Sequence, residues 1–247
     1  MAEFDTVRRT SAGAQTAAID EGLRAHMNKV YGLMSVAMIV TGIVAWLVGS
    51  NDALLSLFRD PVTLQPNILG WVIMFAPLGM VFFMGSAVNR MSPSGAQLFF
   101  YGFAAVMGLS LSWIFAAFTG YSIAQTFFIT AIAFAGLSLY GYTTKKNLSG
   151  WGSFLIMGVI GLIVASIVNI FLASPALMFA ISAIGVLIFA ALTAYDTQKI
   201  KNDYLQVRTQ PGGEAMAEKL AIFGALSLYL DFINLFMFLL SFLGNRE

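Results

Sequence analysis

Residues Leu228–Phe236 read LYLDFINLF and place a carboxylate, Asp231, in the middle of the apolar segment 219–243. About 20 apolar residues suffice for a helix to cross the hydrocarbon core of a bilayer. An ionisable side chain inside such a helix is energetically costly and usually has a partner or a function. A second aspartate, Asp196, stands at the end of the preceding apolar segment, 175–195. The two aspartates are therefore the leading candidates for a functional site.

Five further segments have the length and hydropathy of membrane spans. The chain is 59% hydrophobic and 10% charged, with a mean hydropathy of +0.82, whereas an average soluble domain is about 25% charged. We therefore expect an all-α polytopic membrane protein with seven transmembrane helices. A polar tail, residues 1–29, precedes a single membrane domain, residues 30–247. The predicted spans are 30–49, 68–89, 96–118, 123–142, 152–172, 175–195 and 219–243.

The end of the polar tail has a helical pattern. Ile19, Leu23, Met27 and Val30 recur every three or four residues, so they share one face of a helix. This spacing predicts a helix on the membrane surface over residues 17–30. A disordered cytoplasmic tail is the other interpretation that the sequence leaves open.

The basic residues predict the orientation of the chain in its membrane. Of the 13 Lys and Arg residues, all but Arg59 and Arg246 lie in the tail or in connections on the same side. Cytoplasmic segments carry such an excess of Lys and Arg, so we expect the N-terminus in the cytoplasm and the C-terminus on the opposite side. A re-entrant last segment would return the C-terminus to the cytoplasm. The absence of cysteine and the short tail favour a bacterial inner membrane.

Several classes of function are excluded by composition. A formal net charge of +1 gives no sign of a nucleic-acid partner. The chain has no Cys and one His, His26, so thiolate sites, cysteine nucleophiles and polyhistidine metal sites are excluded. We expect no cofactor, and the lipid bilayer is the partner that the composition itself implies.

Small and polar residues follow one face of each of the last three spans. In a bilayer such faces pack against other helices and form hydrogen bonds across them. We therefore expect the last helix at the centre of the bundle, with the three faces in contact. The faces consist of Gly224, Ser227, Asp231, Asn234, Phe238 and Ser241 in the last span, Ser182, Gly185, Phe189, Thr193 and Asp196 in the sixth, and Gly158, Gly161, Ala165 and Asn169 in the fifth.

The two aspartates can meet if the sixth helix continues beyond Asp196. In a low dielectric both carboxylates cannot then be ionised without a cation, so the pair shares a proton and titrates in two steps. Such a pair can act as a pH sensor or as a weak Ca²⁺ site. Asn169, Asn234, Ser227 and Thr193 are the candidate supporting residues. Ca²⁺ takes 6–8 oxygen ligands, so the site would bind weakly, as a conduction path requires.

A second interpretation is catalytic, because two aspartates on adjacent helices activate water in intramembrane aspartyl proteases. The Tyr195–Asp196 dipeptide matches that class. However, Asp231 follows Leu228, Tyr229 and Leu230, where those enzymes have Gly-x-Gly. The sequence Pro-Ala-Leu occurs at 175–177, before the first aspartate, whereas in that class it follows the second.

Residues 228–236, preceded by YDTQKI at 195–200, resemble the transmembrane Bax inhibitor motif family. NIF at 169–171 and GLSLS at 108–112 fit the same pattern, and the resemblance extends from about residue 25 to the C-terminus. It implies seven helices, with the last at the centre and three helix pairs around it.

The resemblance also implies a function, a pH-sensitive calcium leak controlled by a di-aspartyl pair, which maps to Asp196 and Asp231. In some members an arginine at the end of the second helix latches to this pair, and Arg90 occupies a comparable place. Eukaryotic members suppress cell death, and bacterial ones are associated with membrane proteases. The alternative is therefore a regulatory or stress-response protein that acts through a partner such as a membrane protease.

Overall fold

A computed structural model of the chain describes residues 2–60, 62–63, 65–87 and 90–245, without the side chains of 2–19 and 86–87. The helices in this part of the chain are α1 (Ala2–Gly49), α2 (Asp52–Leu55), α3 (Ile68–Ala87), α4 (Pro93–Leu111), α5 (Ile114–Ala117), α6 (Gly120–Thr143), α7 (Gly152–Leu172), α8 (Pro175–Val207) and α9 (Gly213–Leu243). Seven spans within the described residues are long and apolar enough to cross a membrane. The predicted all-α polytopic fold is confirmed.

The last helix, α9, is at the centre of the bundle, as predicted. It packs against α8, α1, α6 and α4. Half of its most apolar window is buried inside the protein, whereas only 11% of the corresponding window of α7 is buried. Tyr229 of α9 is fully buried, with its ring edge-on to Phe100 and Phe103 of α4. Its hydroxyl lies 2.6 Å from that of Thr41 on α1. These contacts join the central helix to two of its neighbours.

The end of the polar tail belongs to the first membrane helix. Helix α1 continues without a break through residues 20–49, and Leu23, Met27 and Val30 are buried in the main core. The predicted apolar face therefore packs against protein, whereas the sequence suggested a membrane surface; the side chain of Ile19 lies outside the described residues. An ion pair of 3.1 Å between Lys29 and Glu218 joins this part of α1 to the start of α9.

Helix α8 extends well beyond the apolar segment that predicted it. The sequence indicates a polar connection from 196 to 218, but the helix runs to Val207 and the connection is only 208–212. The extension is amphipathic, since Ile200 and Val207 are buried while Lys199 and Asn202 are exposed. Burial of that face stabilises the helix despite its lower hydropathy.

The turn from α8 into α9 depends on two glycines. Gly212 has a φ of 76°, in the left-handed region that glycine adopts without strain. At Gly213, a Cβ atom would lie 2.5 Å from the carbonyl oxygen of Val207. The tight turn therefore returns the chain directly along α8 and makes the two helices antiparallel neighbours.

Candidate functional site

The structure brings the two candidate aspartates together. The carboxyl groups of Asp196 on α8 and Asp231 on α9 lie within hydrogen-bonding reach of each other. Asp231 is only 4% exposed, and Asp196 is half-buried. The sequence allowed this contact if the sixth helix continued beyond Asp196, and α8 does continue, as far as Val207. At 1.5 Å per residue, Asp196 lies about 17 Å from the end of α8 at Val207. Asp231 lies about 18 Å from the end of α9 at Leu243.

Small residues at the α8–α9 interface set the register that aligns the aspartates. A Cβ atom on Gly185 would lie 2.6 Å from the ring of Phe238, and one on Gly224 would lie 2.9 Å from the side chain of Ile200. Each glycine thus accommodates a large side chain of the other helix. The resulting antiparallel ladder pairs Ser182 with Ser241, Gly185 with Phe238, Asp196 with Asp231 and Ile200 with Gly224.

A hydrogen bond between the two carboxyl groups requires a proton. An ionised carboxylate only accepts hydrogen bonds, so one of the two groups must carry a hydrogen for them to bond. The charged neighbours that act on Asp196 are Lys199 and Asp203, both on α8. Asp231 is buried, and among the described residues Oδ2 of Asp231 has no donor. A proton held between the two groups is consistent with this arrangement.

A small cleft lies beside the pair. Its volume is about 60 Å³, and Asp196, Lys199, Asp203 and Ser227 are its polar lining residues. A water molecule takes up about 30 Å³ in the liquid, so the cleft has room for a few waters at most. Of the candidate supporting residues, Ser227 therefore lies close to Asp196.

Thr193 belongs to a buried hydroxyl network next to the pair. Its hydroxyl donates to the carbonyl oxygen of Phe189, and Thr197 donates to that of Thr193. The Thr197 hydroxyl also lies 2.9 Å from Ser138 on α6, which lies 2.7 Å from the hydroxyl of Tyr31 on α1. Three helices are thus connected one residue away from Asp196. Sequence reasoning missed this network because no spacing along one helix relates its members.

The two asparagines have local roles in the structure. The side-chain amide of Asn234 donates to the carbonyl oxygen of Leu230 on its own helix, at 2.8 Å. The Oδ1 atom of Asn169 accepts from the backbone N–H of Ser174, at 3.0 Å, where α7 turns into α8. Helix α7 packs mainly on α8. The three polar faces nevertheless meet at this end of the bundle, where Asn169, Ser182 of α8 and Ser241 of α9 line one cavity. Asn169 lies apart from the aspartates, neither of which lines that cavity.

Arg90 is also separate from the pair. It is exposed after the end of α3, a helix that packs against α4. It is not among the charged groups that act on either carboxyl group. Arg90 therefore lies apart from the aspartates in this structure, and the latch stays a prediction.

The pair is too small a ligand set to hold a metal ion tightly. Two carboxyl groups are far from the 6–8 oxygens that Ca²⁺ takes. Within the described part of the chain, no group of three or more His, Cys, Asp or Glu residues could hold a metal ion.

The fold and the site define a class of protein: an integral membrane protein with seven membrane-length helices and a carboxyl pair between the last two. The chain belongs to the family described as inhibitor of apoptosis-promoting Bax1, which matches residues 23–247. This confirms the resemblance that the motifs indicated.

Bacterial relatives are similar over almost the whole chain. An uncharacterised protein of Caulobacter vibrioides is 48% identical over 233 residues, which cover 93% of this chain and 92% of the relative. The inner membrane protein YbhL of Escherichia coli K12 is 44% identical over 226 residues, 92% of this chain and 94% of that protein. An uncharacterised protein of Rickettsia prowazekii is 43% identical over 244 residues, 99% of each chain.

Proposed function

We propose that this protein is a pH-sensitive cation leak channel, with Ca²⁺ as a permeant ion, and that the Asp196–Asp231 pair controls it. The observation that carries the proposal is the contact of two carboxyl groups between the central helix and α8, with Asp231 buried. A buried pair of this kind changes its charge when it loses the shared proton. It therefore couples the pH to the packing of the helix at the centre of the bundle.

Loss of the shared proton places two negative charges side by side. Two unit charges 4 Å apart repel by about 4 kcal/mol at an effective dielectric of 20. A free energy of this size is enough to shift a two-state equilibrium by several hundredfold or more. The repulsion acts between α8 and α9, whose close packing depends on Gly185 and Gly224. Deprotonation should therefore loosen this interface.

The negative charge of the ionised pair also offsets the cost of moving a cation through the protein. Moving a cation through a low-dielectric interior is costly unless negative groups compensate it. The polar lining of the cleft beside the pair consists of two acidic residues, Asp196 and Asp203, the Ser227 hydroxyl and one basic residue, Lys199. Its volume of about 60 Å³ is too small for a hydrated pathway. We infer that the compact arrangement is a resting state, and that conduction requires α8 and α9 to separate.

We also propose a bacterial inner membrane location with the N-terminus in the cytoplasm. The excess of Lys and Arg on one side supports this orientation. The part of α1 that carries Lys29 lies beside the end of α8 near Arg208 and the start of α9 near Glu218. The similarity to an Escherichia coli inner membrane protein supports the location.

Ca²⁺ flux into liposomes that contain only the purified protein tests the proposal. Wild type should conduct with a flux that changes between about pH 5 and pH 8, the range in which a shared carboxyl proton is expected to titrate. The Asp196→Asn, Asp231→Asn double variant should lose this change. The matched control is Asp52→Asn, which changes an exposed carboxyl group that lies far from both aspartates in the sequence. A wild type without flux would favour the regulatory alternative, because a regulator needs its partner and a leak does not.

A further inference from the structure

A long groove opens between α1 and α6. Both helices pack on α9 but have little contact with each other, so a groove of about 1120 Å³ remains between them. Its lining extends along α1 from Arg24 to Ile43, and Phe232 of α9 forms part of its floor. At 1.5 Å per residue this is a length of about 28 Å, close to the thickness of the hydrocarbon core.

The two ends of the groove differ in chemistry. Most of the lining is apolar and adaptable, with Met27, Met34 and Met38 on α1. The charged residue among the described lining residues is Arg24, near the start of the membrane span. Tyr142 lines the groove from α6, and the ammonium group of Lys201 lies 5.2 Å from its ring. The groove thus has a long apolar body and a cationic end.

The shape and the charge of the groove indicate what occupies it. Its body is apolar and about 28 Å long, at 1.5 Å per residue of α1, which suits an extended acyl chain. Arg24 at one end complements an anionic headgroup. We propose that the groove between α1 and α6 is a binding site for an anionic phospholipid, with the headgroup at Arg24 and an acyl chain along the groove.

Two glycines provide a matched pair of variants that test the site. Gly42 lines the groove, and a Cβ atom on it would meet nothing within 4 Å. Gly102 of α4 is equally open and exposed but lies outside the groove. Gly42→Phe should fill the groove, whereas Gly102→Phe adds the same side chain elsewhere. Ala135→Phe fills the groove from the α6 side and serves as a second variant if Gly42→Phe folds poorly.

Native mass spectrometry of the purified full chain measures the lipid it retains. The detergent-solubilised protein is offered equal amounts of phosphatidylglycerol and phosphatidylcholine with identical acyl chains. Wild type and Gly102→Phe should retain phosphatidylglycerol with about a fivefold preference, the effect of one basic residue at an anionic lipid surface. Gly42→Phe and Ala135→Phe should lose retention of both lipids, and Arg24→Gln should lose the preference only.

Three results would overturn this assignment. The first is a wild type that retains neither lipid, which would leave the groove to another occupant such as a protein helix. The second is equal retention by the groove-filling variants and Gly102→Phe. The third is an undiminished preference in Arg24→Gln. Because lipid retention is measured without ion flux, the outcome does not depend on the proposed leak.

Discussion

Asp196 and Asp231 hold their carboxyl groups in hydrogen-bonding reach across the interface between α8 and α9. Neither group can donate unless it carries a proton. A hydrogen bond between them therefore requires that the pair retain at least one hydrogen. Under the proposed function, this requirement links the packing of the central helix to the protonation of the two side chains.

Asn substitution at either aspartate should remove the pH dependence of Ca²⁺ flux in liposomes. The Asp231→Asn amide donates a hydrogen permanently where the pair otherwise needs a proton, and Asp196→Asn does the same from α8. We expect the change in flux between about pH 5 and pH 8 to fall at least tenfold in each variant, because about 4 kcal/mol of repulsion is removed. The double variant should be no worse than the stronger single variant, since the pair acts as one unit. Unchanged pH-dependent flux in the double variant would rule out the mechanism.

Spin labels should detect the separation of α8 from α9. The chain has no cysteine, so cysteines at Asn202 and Met216, both exposed, can be labelled without background. The interspin distance should increase as the pH rises and the pair ionises, because the two carboxylates repel. Double electron–electron resonance measures this distance. The same labels in Asp231→Asn are the control, and an equal increase there would show that another group drives the movement.

Hydropathy and spacing were sufficient to predict the seven spans, the central position of α9 and the location of two aspartates inside membrane-length helices. These features depend on local composition: apolar length specifies a span, and a stripe of small and polar residues specifies a packed face. The family resemblance could be recognised for the same reason, because each of its motifs is a continuous stretch of sequence. What these signals share is that they lie within one helix.

The features that sequence reasoning missed depend on contacts between distant segments. The extension of α8 is rich in polar residues, and it is helical because Ile200 and Val207 are buried against neighbours. Asn169 shares the helical spacing of a polar face, but its side chain caps the turn at Ser174. The Ser138–Thr197 hydrogen bond joins residues on different helices. Tertiary packing determines each of these three features. The spacing of residues along one segment carries no information about such packing.

Gly224→Leu should destabilise the protein by crowding the α8–α9 interface. A Cβ atom at Gly224 would already lie 2.9 Å from Ile200, and overpacking of this kind typically costs about 1–3 kcal/mol. Thermal unfolding in detergent should show a lower midpoint than wild type. Gly102→Leu is the control, because its Cβ would meet nothing within 4 Å. Adding Ile200→Ala to Gly224→Leu should restore part of the loss, and an absence of any rescue would contradict the predicted contact.

Cysteine labelling should place the C-terminus on the side opposite the cytoplasm. The structure ties Asn245 to the start of α6: its backbone N–H donates to the Ser122 hydroxyl at 3.0 Å, and its carbonyl oxygen accepts from the N–H of Thr119. Thr119 follows the third span, on the side that has few basic residues. An Asn245→Cys variant in intact cells should therefore react with a membrane-impermeant thiol reagent, provided that the outer membrane is permeabilised. Lys145→Cys, exposed in the basic connection after α6, should react only after lysis. The reverse pattern at Asn245, protection in cells and labelling after lysis, would show that the last segment does not cross the membrane and that the C-terminus returns to the cytoplasm.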